Sequence, residues 1–353
     1  TGVVVLVTGF RESIERYYER IREHQERGQA VYTMDWRGQG GSQRYKPSLP
    51  QRAGSQGYEH DVADLHQFIA KVAKIDERHP GVRKTLHAHS MGGNIGLRYL
   101  HDHPGRFDNA VITSPMLGIN TGKVPKWLAR TIAKAMSVFD KHAYMPTEGD
   151  WSEQNPMQEL KGTLNERMIR QGLQDVFYRD MPPLRLGGAT AGWFLEACRS
   201  IAILRDPDYL KNIKTPIMMV AGRLDDIVEP QAIRRAAKHL PNVTFHEYPR
   251  SAHSPWMESD TTRRKLWQHV NDFQAGYQRP GPKTLLSRGT PPTTPPPKPW
   301  ITRAAKGLSR RLTSGPDARR HRLPESQADS PSRQPANDRH PNVDPANRRH
   351  RPG

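Results

Sequence analysis

The stretch TLHAHSMGGNIGLRYL, Thr85–Leu100, decides the fold of this chain. A short apolar run ends at Ala88, a helical pattern begins near Met91, and one hydroxyl, Ser90, stands at the junction. A strand that turns sharply into a helix lifts the residue at the turn out of the sheet. Only small side chains fit two places before it and two places after it. Ala88 and Gly92 occupy those places, so A-H-S-M-G stands where G-x-S-x-G is the commoner form. The turn exposes Ser90, and the helix beyond it aims its positive N-terminal end at the same point.

Working outward, short apolar runs bounded by turn formers read as buried strands at Val3–Val7, Ala30–Met34, Thr85–Ala88, Ala110–Thr113 and Ile217–Ala221. Helical patterns lie between them at Ser13–Arg27, Tyr58–Asp76, Gly93–His103 and Pro230–His239. Strand alternating with helix predicts an α/β fold with a mostly parallel central sheet and flanking helices. The rhythm breaks between about Pro115 and Lys214. That segment holds helical patterns at Lys126–Val138, Leu164–Phe177 and Ala189–Leu204 and no strand, as a helical cap insertion would, or a helical subdomain without a gating role. The expected organisation is a first part of the core over 1–114, a cap or lid over 115–214, a second part of the core over 215–278 and a basic tail over 279–353. Because Thr1 runs directly into a strand, further sequence is expected before it.

A serine hydroxyl becomes a useful nucleophile when a base takes its proton and the developing oxyanion is held. On this kind of turn the carboxylate and the base follow the serine in chain order, each in a loop after a later strand. IMMVAGRLDDIVEP is a strand running into a loop with two acids, Asp225 and Asp226, and FHEYPRSAHSPWME is a further strand ending in a loop that bears His253. Order and context therefore pair Ser90 with His253 and with one of the two acids.

The segments VLVTGFRES, DWRGQGGS, AHSMGGNI, ITSPML, TPIMMVAGRLDDIVEP and AHSPWMESD together resemble the α/β-hydrolase fold, in its lysophospholipase L2/monoacylglycerol lipase branch, often labelled serine aminopeptidase S33. The resemblance runs from about Val3 to Phe273. It implies Ser90 as nucleophile and His253 as general base and then acid. It also favours Asp225 over Asp226, because Asp225 holds the acid's place in a G-x-x-D-x-[IV]-V pattern starting at Gly222. The oxyanion hole it implies is the backbone N–H of Phe10 and of Met91. The family usually has His-Gly before the first of these, and this chain has Thr8-Gly9. The implied reaction is hydrolysis of a carboxylic ester of a single-chain lipid. Short-chain carboxylesterase and aminopeptidase are the alternatives within the fold. Met116, Trp127, Met136, Phe139 and Trp193 are candidates for an acyl pocket in the cap, or ordinary core.

The remaining polar residues have plainer expectations. His89 reads as structural, turned away from Ser90 by the pleat. Asp35 and Arg37 read as fixing a loop, Asp61 and Asp64 as lying on a solvated helix, Glu258 as supporting the histidine loop, and Cys198 as buried and inert. No His/Cys/Asp cluster has metal-ligand spacing and no Gly-rich loop follows a nucleotide-binding pattern, so neither metal nor cofactor is expected.

The net charge of the 353 residues is +18, and much of it is concentrated in the tail. Residues 279–353 carry 16 Lys/Arg against 5 Asp/Glu and 15 of the 31 prolines. Such a segment cannot bury enough apolar surface to offset its ordering entropy and is expected to be disordered. Within it, Trp300–Leu312 has the pattern of a short basic amphipathic helix, or a chance periodicity. The expected partners are a lipid or small ester substrate and an anionic membrane touched through the tail. The rival class is a non-catalytic scaffold whose tail binds nucleic acid. With Trp300 as its only aromatic, the tail lacks interleaved stacking residues, so no specific nucleic acid is expected. One cysteine permits no internal disulfide and fits a cytoplasmic protein, with peripheral contact at the inner face of the membrane.

Overall fold

The structure, a computed structural model, describes residues 2–152 and 166–276. Six strands, β1 (Gly2–Val7), β2 (Gln29–Met34), β3 (Lys84–His89), β4 (Asn109–Thr113), β5 (Ile217–Gly222) and β6 (Val243–Tyr248), form one sheet in the order β2-β1-β3-β4-β5-β6. Every neighbouring pair is parallel, with Val7 opposite Ala88 and His89 opposite Thr113. From Val3 onward β1 is buried throughout, as is the whole of β5, whereas the edge strands β2 and β6 are largely half-buried. That contrast explains why the inner strands are continuous apolar runs: helices cover them on both faces.

Among the described residues, ten α-helices accompany the sheet: α1 (Tyr18–Glu26), α2 (Tyr58–Gln67), α3 (Ile75–Arg78), α4 (Met91–Asp102), α5 (Lys126–Asp140), α6 (Glu166–Asp180), α7 (Ala191–Ile203), α8 (Pro207–Lys211), α9 (Pro230–Ala237) and α10 (Asp260–Gly276). The expected helix over Ser13–Arg27 begins with a tighter 3-10 turn at Ile14–Tyr17 before α1. The one over Tyr58–Asp76 ends its α part at Gln67, widens over Phe68–Ala73, and stops where Lys74 takes a left-handed φ of 47°. The polar composition of α10 concealed it among the sequence patterns. It nonetheless buries Leu266, Trp267, Val270 and Phe273 in a cluster with Val111, Met218 and Val220 from the sheet. At about 1.5–3 kcal/mol for each large apolar side chain buried, that face outweighs the polar remainder.

Helices α5 to α8 all fall between β4 and β5, and α5 packs on α7. Helix α6 is tied to the core by Arg170, whose fully buried guanidinium pairs with Glu19 at 2.8 Å and with Asp260 at 2.5 Å and donates to the Glu258 carbonyl at 2.7 Å. No helix among the described residues is long and apolar enough to cross a membrane. The tail over 279–353, with its Trp300–Leu312 pattern, lies outside the described residues.

The sheet order positions the site. The chain leaves β1 toward one edge and β3 lies on β1's other side, so the connections diverge at the carboxyl ends of β1 and β3. A crevice opens at such a switch point. Thr8–Arg11 follows β1 and Ser90 follows β3, so both segments border it.

Candidate active site

Ser90 is the N-cap of α4 and has φ 52° and ψ −117°, a conformation L-residues rarely adopt. Its N–H donates to the Thr113 carbonyl at 3.0 Å, and its own carbonyl accepts from Met116 N–H at 2.9 Å and Asn94 N–H at 3.1 Å. Those bonds hold the turn in its strained form. Gly92 is needed for the same closure. A Cβ there would lie 2.4 Å from the Thr8 carbonyl oxygen, so the end of β1 reaches the elbow only past a bare backbone.

The structure brings Ser90, Asp225 and His253 together from three separate loops. His253 Nε2 is 2.9 Å from Ser90 Oγ, and His253 Nδ1 is 2.8 Å from Asp225 Oδ2. Asp225 is buried, and its other oxygen accepts from the N–H groups of Ile227 at 3.0 Å and Val228 at 2.9 Å. Its carboxylate is thus oriented by its own loop, with one oxygen left for the imidazole. Asp226 lines the neighbouring cavity without bonding to His253. Glu258 supports the histidine loop by accepting from Ala252 N–H at 3.0 Å and Ser251 Oγ–H at 3.3 Å.

Beside Ser90, the N–H groups of Phe10 and Met91 have no hydrogen-bond partner among the described residues. Met91 begins α4, where the first N–H groups have no intrahelical acceptor. The rest of the Thr8–Arg11 loop is clamped. Trp36 Nε1–H donates to the Thr8 carbonyl at 2.8 Å, and the Gly9 N–H donates to Glu12 Oε2 at 2.6 Å. Arg11 N–H donates to Gln39 Oε1 at 2.8 Å. A Cβ on Gly9 would meet Glu12 Oε2 at 2.7 Å and Ser90 Cβ at 3.1 Å, which is why the loop can pass so near the hydroxyl.

Glu12 borders the site although no sequence pattern marked it. It also accepts from Tyr17 O–H at 2.5 Å and pairs with Arg16 at 3.3 Å. Burial by itself would raise its carboxyl, but Arg16, His89, Tyr17 and the Gly9 N–H together hold it below the usual carboxylate range. The available signal was an acid three residues beyond a glycine at a strand end, with nothing in the pattern to show that the acid folds back. His89 is buried against the site: its ring centroid is 4.9 Å from that of His253, and Nδ1 is 3.1 Å from Thr113 Oγ1. Burial pushes its imidazole down to about 4, so it is a neutral wall behind His253.

A cavity of about 530 Å³ opens over Ser90 and His253. Phe10, Met116, Ile119, Trp193, Ile227 and Val228 give it an apolar side, and Arg11, Glu12, Arg16, Gln174, Asp175 and Tyr178 a polar one. Phe10 and Trp193 stack with centroids 3.8 Å apart, joining the first loop to α7. Of the expected acyl-pocket residues, Met116 and Trp193 line the cavity and Met136 packs against the core. Trp127 and Phe139 do not line it. They are 69 % and 91 % exposed on the outer face of α5, because Ala129 and Ala133 supply the face that α5 turns inward. Asp61 also differs from expectation. It is 6 % exposed, and burial pushes its carboxyl up to about 7. Asp64 pairs with Arg37 at 2.5 Å, and Asp35 accepts from Ile14 N–H and Gly41 N–H, closing its loop. Cys198 is half-buried on α7.

The family model described as serine aminopeptidase S33 (Hydrolase_4) matches residues 1–260. Lysophospholipase L2 of Escherichia coli K12 is 33 % identical over 299 residues, spanning 79 % of this chain and 82 % of that protein. A probable lysophospholipase L2 of Haemophilus influenzae is 27 % identical over 277 residues, spanning 77 % and 83 %. Among solved structures, a soluble variant of monoglyceride lipase from Saccharomyces cerevisiae, in complex with a substrate analog, superposes with a TM-score of 0.61 at 19 % identity. It covers 79 % of this chain and 87 % of that one.

Proposed function

Because the chain belongs to the serine aminopeptidase S33 (Hydrolase_4) family of α/β-hydrolases, we propose that it hydrolyses carboxylic esters of single-chain lipids through an acyl-enzyme on Ser90. The observation that carries this reading is the hydrogen-bonded line from Asp225 through His253 to Ser90 at the mouth of a cavity with an apolar side. The naming of the relatives as lysophospholipases supports the substrate class.

In the reaction, Ser90 Oγ attacks the ester carbonyl carbon as His253 Nε2 takes the hydroxyl proton. Asp225 holds Nδ1–H and stabilises the imidazolium. The carbonyl oxygen, now negative, lies between the N–H groups of Phe10 and Met91, both without competing partners among the described residues. Collapse breaks the bond to the leaving alcohol, which receives the proton from His253 Nε2. Water then attacks the acyl-Ser90 carbonyl, again giving a proton to His253, and the fatty acid leaves as Ser90 Oγ recovers it. Neutral His89 behind the imidazole places no second positive charge beside the imidazolium. The tail, by its net charge of +11 over 279–353, is proposed to hold the protein against anionic lipid.

The test compares wild type and Ser90→Ala on lysophosphatidylcholine, monoacylglycerol, p-nitrophenyl butyrate and an aminoacyl anilide, with labelling by a fluorophosphonate. Lipid turnover and labelling that both vanish in Ser90→Ala are expected. Turnover confined to the anilide would move the protein to the peptidases, and a folded wild type that neither turns over nor labels would end the enzyme reading.

A further inference from the structure

A second cavity, of about 470 Å³ and almost wholly polar, adjoins the one over Ser90. The two share four lining residues: Arg11, Glu148, Trp151 and Asp175. One cation and two carboxylates thus stand where the reaction cavity passes into a polar recess.

Arg11 is the unusual member. Its φ is 60°, a left-handed region that L-residues other than glycine, asparagine and aspartate rarely adopt. The surroundings enforce that conformation. Gln39 accepts its N–H, and both Gln174 Nε2–H and Tyr178 O–H, from α6, donate to its carbonyl at 2.9 Å. Yet its guanidinium has no ion pair or hydrogen bond among the described residues, although Glu148, Asp150 and Asp175 line the same recess. A half-buried guanidinium with free donors is suited to bidentate capture of a phosphate. Gln174, 8 % exposed, lines the cavity over Ser90, and its Nε2–H bond to the Arg11 carbonyl ties α6 to this loop.

We propose that Arg11, Glu148 and Asp175 form a headgroup subsite for a zwitterionic phosphodiester, with the phosphate on Arg11 and the ammonium on the carboxylates. This rests on the ester-hydrolase reading of Ser90. It assigns the two ends of the substrate: the acyl chain lies along Phe10, Met116 and Trp193, and the glycerophosphoryl end reaches past Arg11 into the recess. Glu148 is exposed and without an ion pair among the described residues, and Asp175 is half-buried, accepting from Trp151 Nε1–H at 3.2 Å. Each retains a carboxylate oxygen for a cation.

The experiment measures kcat/KM for a lysophosphatidylethanolamine and for a monoacylglycerol with the same acyl chain, in wild type, Arg11→Asn and Arg11→Lys. Asparagine tolerates the left-handed backbone, so the change removes charge with little added strain. The ratio of the two constants is expected to fall about tenfold or more in Arg11→Asn, as for loss of a charged hydrogen bond, and to recover in part with lysine. An unchanged ratio, with both esters still turned over, overturns the subsite and leaves the ester-hydrolase reading standing. A wild type that hydrolyses neither ester ends both. A second arm needs no variant: sn-glycero-3-phosphoethanolamine should inhibit wild-type hydrolysis of p-nitrophenyl butyrate competitively, well below the concentrations at which glycerol or inorganic phosphate does. Inhibition no better than glycerol's overturns the proposal, and inhibition equal to inorganic phosphate's overturns its ammonium half.

Discussion

At the scale of single residues, the site depends on what surrounds the reacting groups as much as on the groups themselves. Ser90 sits in a strained turn closed by three hydrogen bonds, and Gly92 and Gly9 let two backbones pass its side chain. Glu12 is the clearest positioning residue, because its carboxylate takes the Gly9 N–H and so sets the direction of the Phe10 N–H beside Ser90. Glu12→Gln keeps the shape and removes the charge. Loss of a whole oxyanion donor costs about 10²–10³ in kcat, so misdirecting one is expected to lower kcat on p-nitrophenyl butyrate by about tenfold, with little change in KM. A kcat equal to that of wild type, at matched thermal stability, would show that the loop holds its direction without Glu12.

Among elements, α2 and α6 carry consequences that their sequences did not advertise. Tyr58, Asp61, Val62 and Leu65 share the buried face of α2, so the carboxylate of Asp61 is carried inward with the apolar residues. Burial is the main cause of its raised pKa, helped by Asp64 and Glu59 and opposed by Arg37 and Arg98. The folded protein holds the Asp61 proton up to about pH 7, whereas the unfolded chain releases it near 3.8. The stability associated with the protonated form is therefore complete below about pH 4 and is lost as pH rises through 7. Asp61→Asn has no such titration, so its melting temperature relative to wild type should rise between pH 4 and pH 8. A difference that stays constant across that range would count against a buried, titrating Asp61. Helix α6, anchored through Arg170, holds Arg11 from above, so part of the loop beside Ser90 is shaped by a helix lying between β4 and β5.

Over the whole molecule, the site as described is built from residues within 2–152 and 166–276. A chain ending at Gln278 should accordingly keep its kcat/KM on p-nitrophenyl butyrate within about twofold, while losing binding to anionic vesicles at low salt, since contacts with phosphate surfaces scale with the Lys/Arg available. Measuring both on the full and shortened chains separates the roles. Loss of soluble-ester turnover on shortening would mean that the tail takes part in the fold or in the site.

The strand–serine–helix junction, the order of acid and base after it, and the apolar runs of the inner strands were legible in the sequence. Each is a local pattern whose cause, a tight turn or a doubly covered strand, acts over a few neighbouring residues. Tertiary structure decided the rest. Trp127 and Phe139 look like pocket residues by type, but the helix faces outward with them. Asp61 and Glu12 look like surface acids, but one rides a buried helix face and the other folds back onto Gly9. Arg11 gains meaning only because Gln39, Gln174 and Tyr178, from distant parts of the chain, converge on its backbone. Which way a side chain faces, and which partners meet it there, depends on contacts between residues far apart in sequence, and no local spacing encodes them.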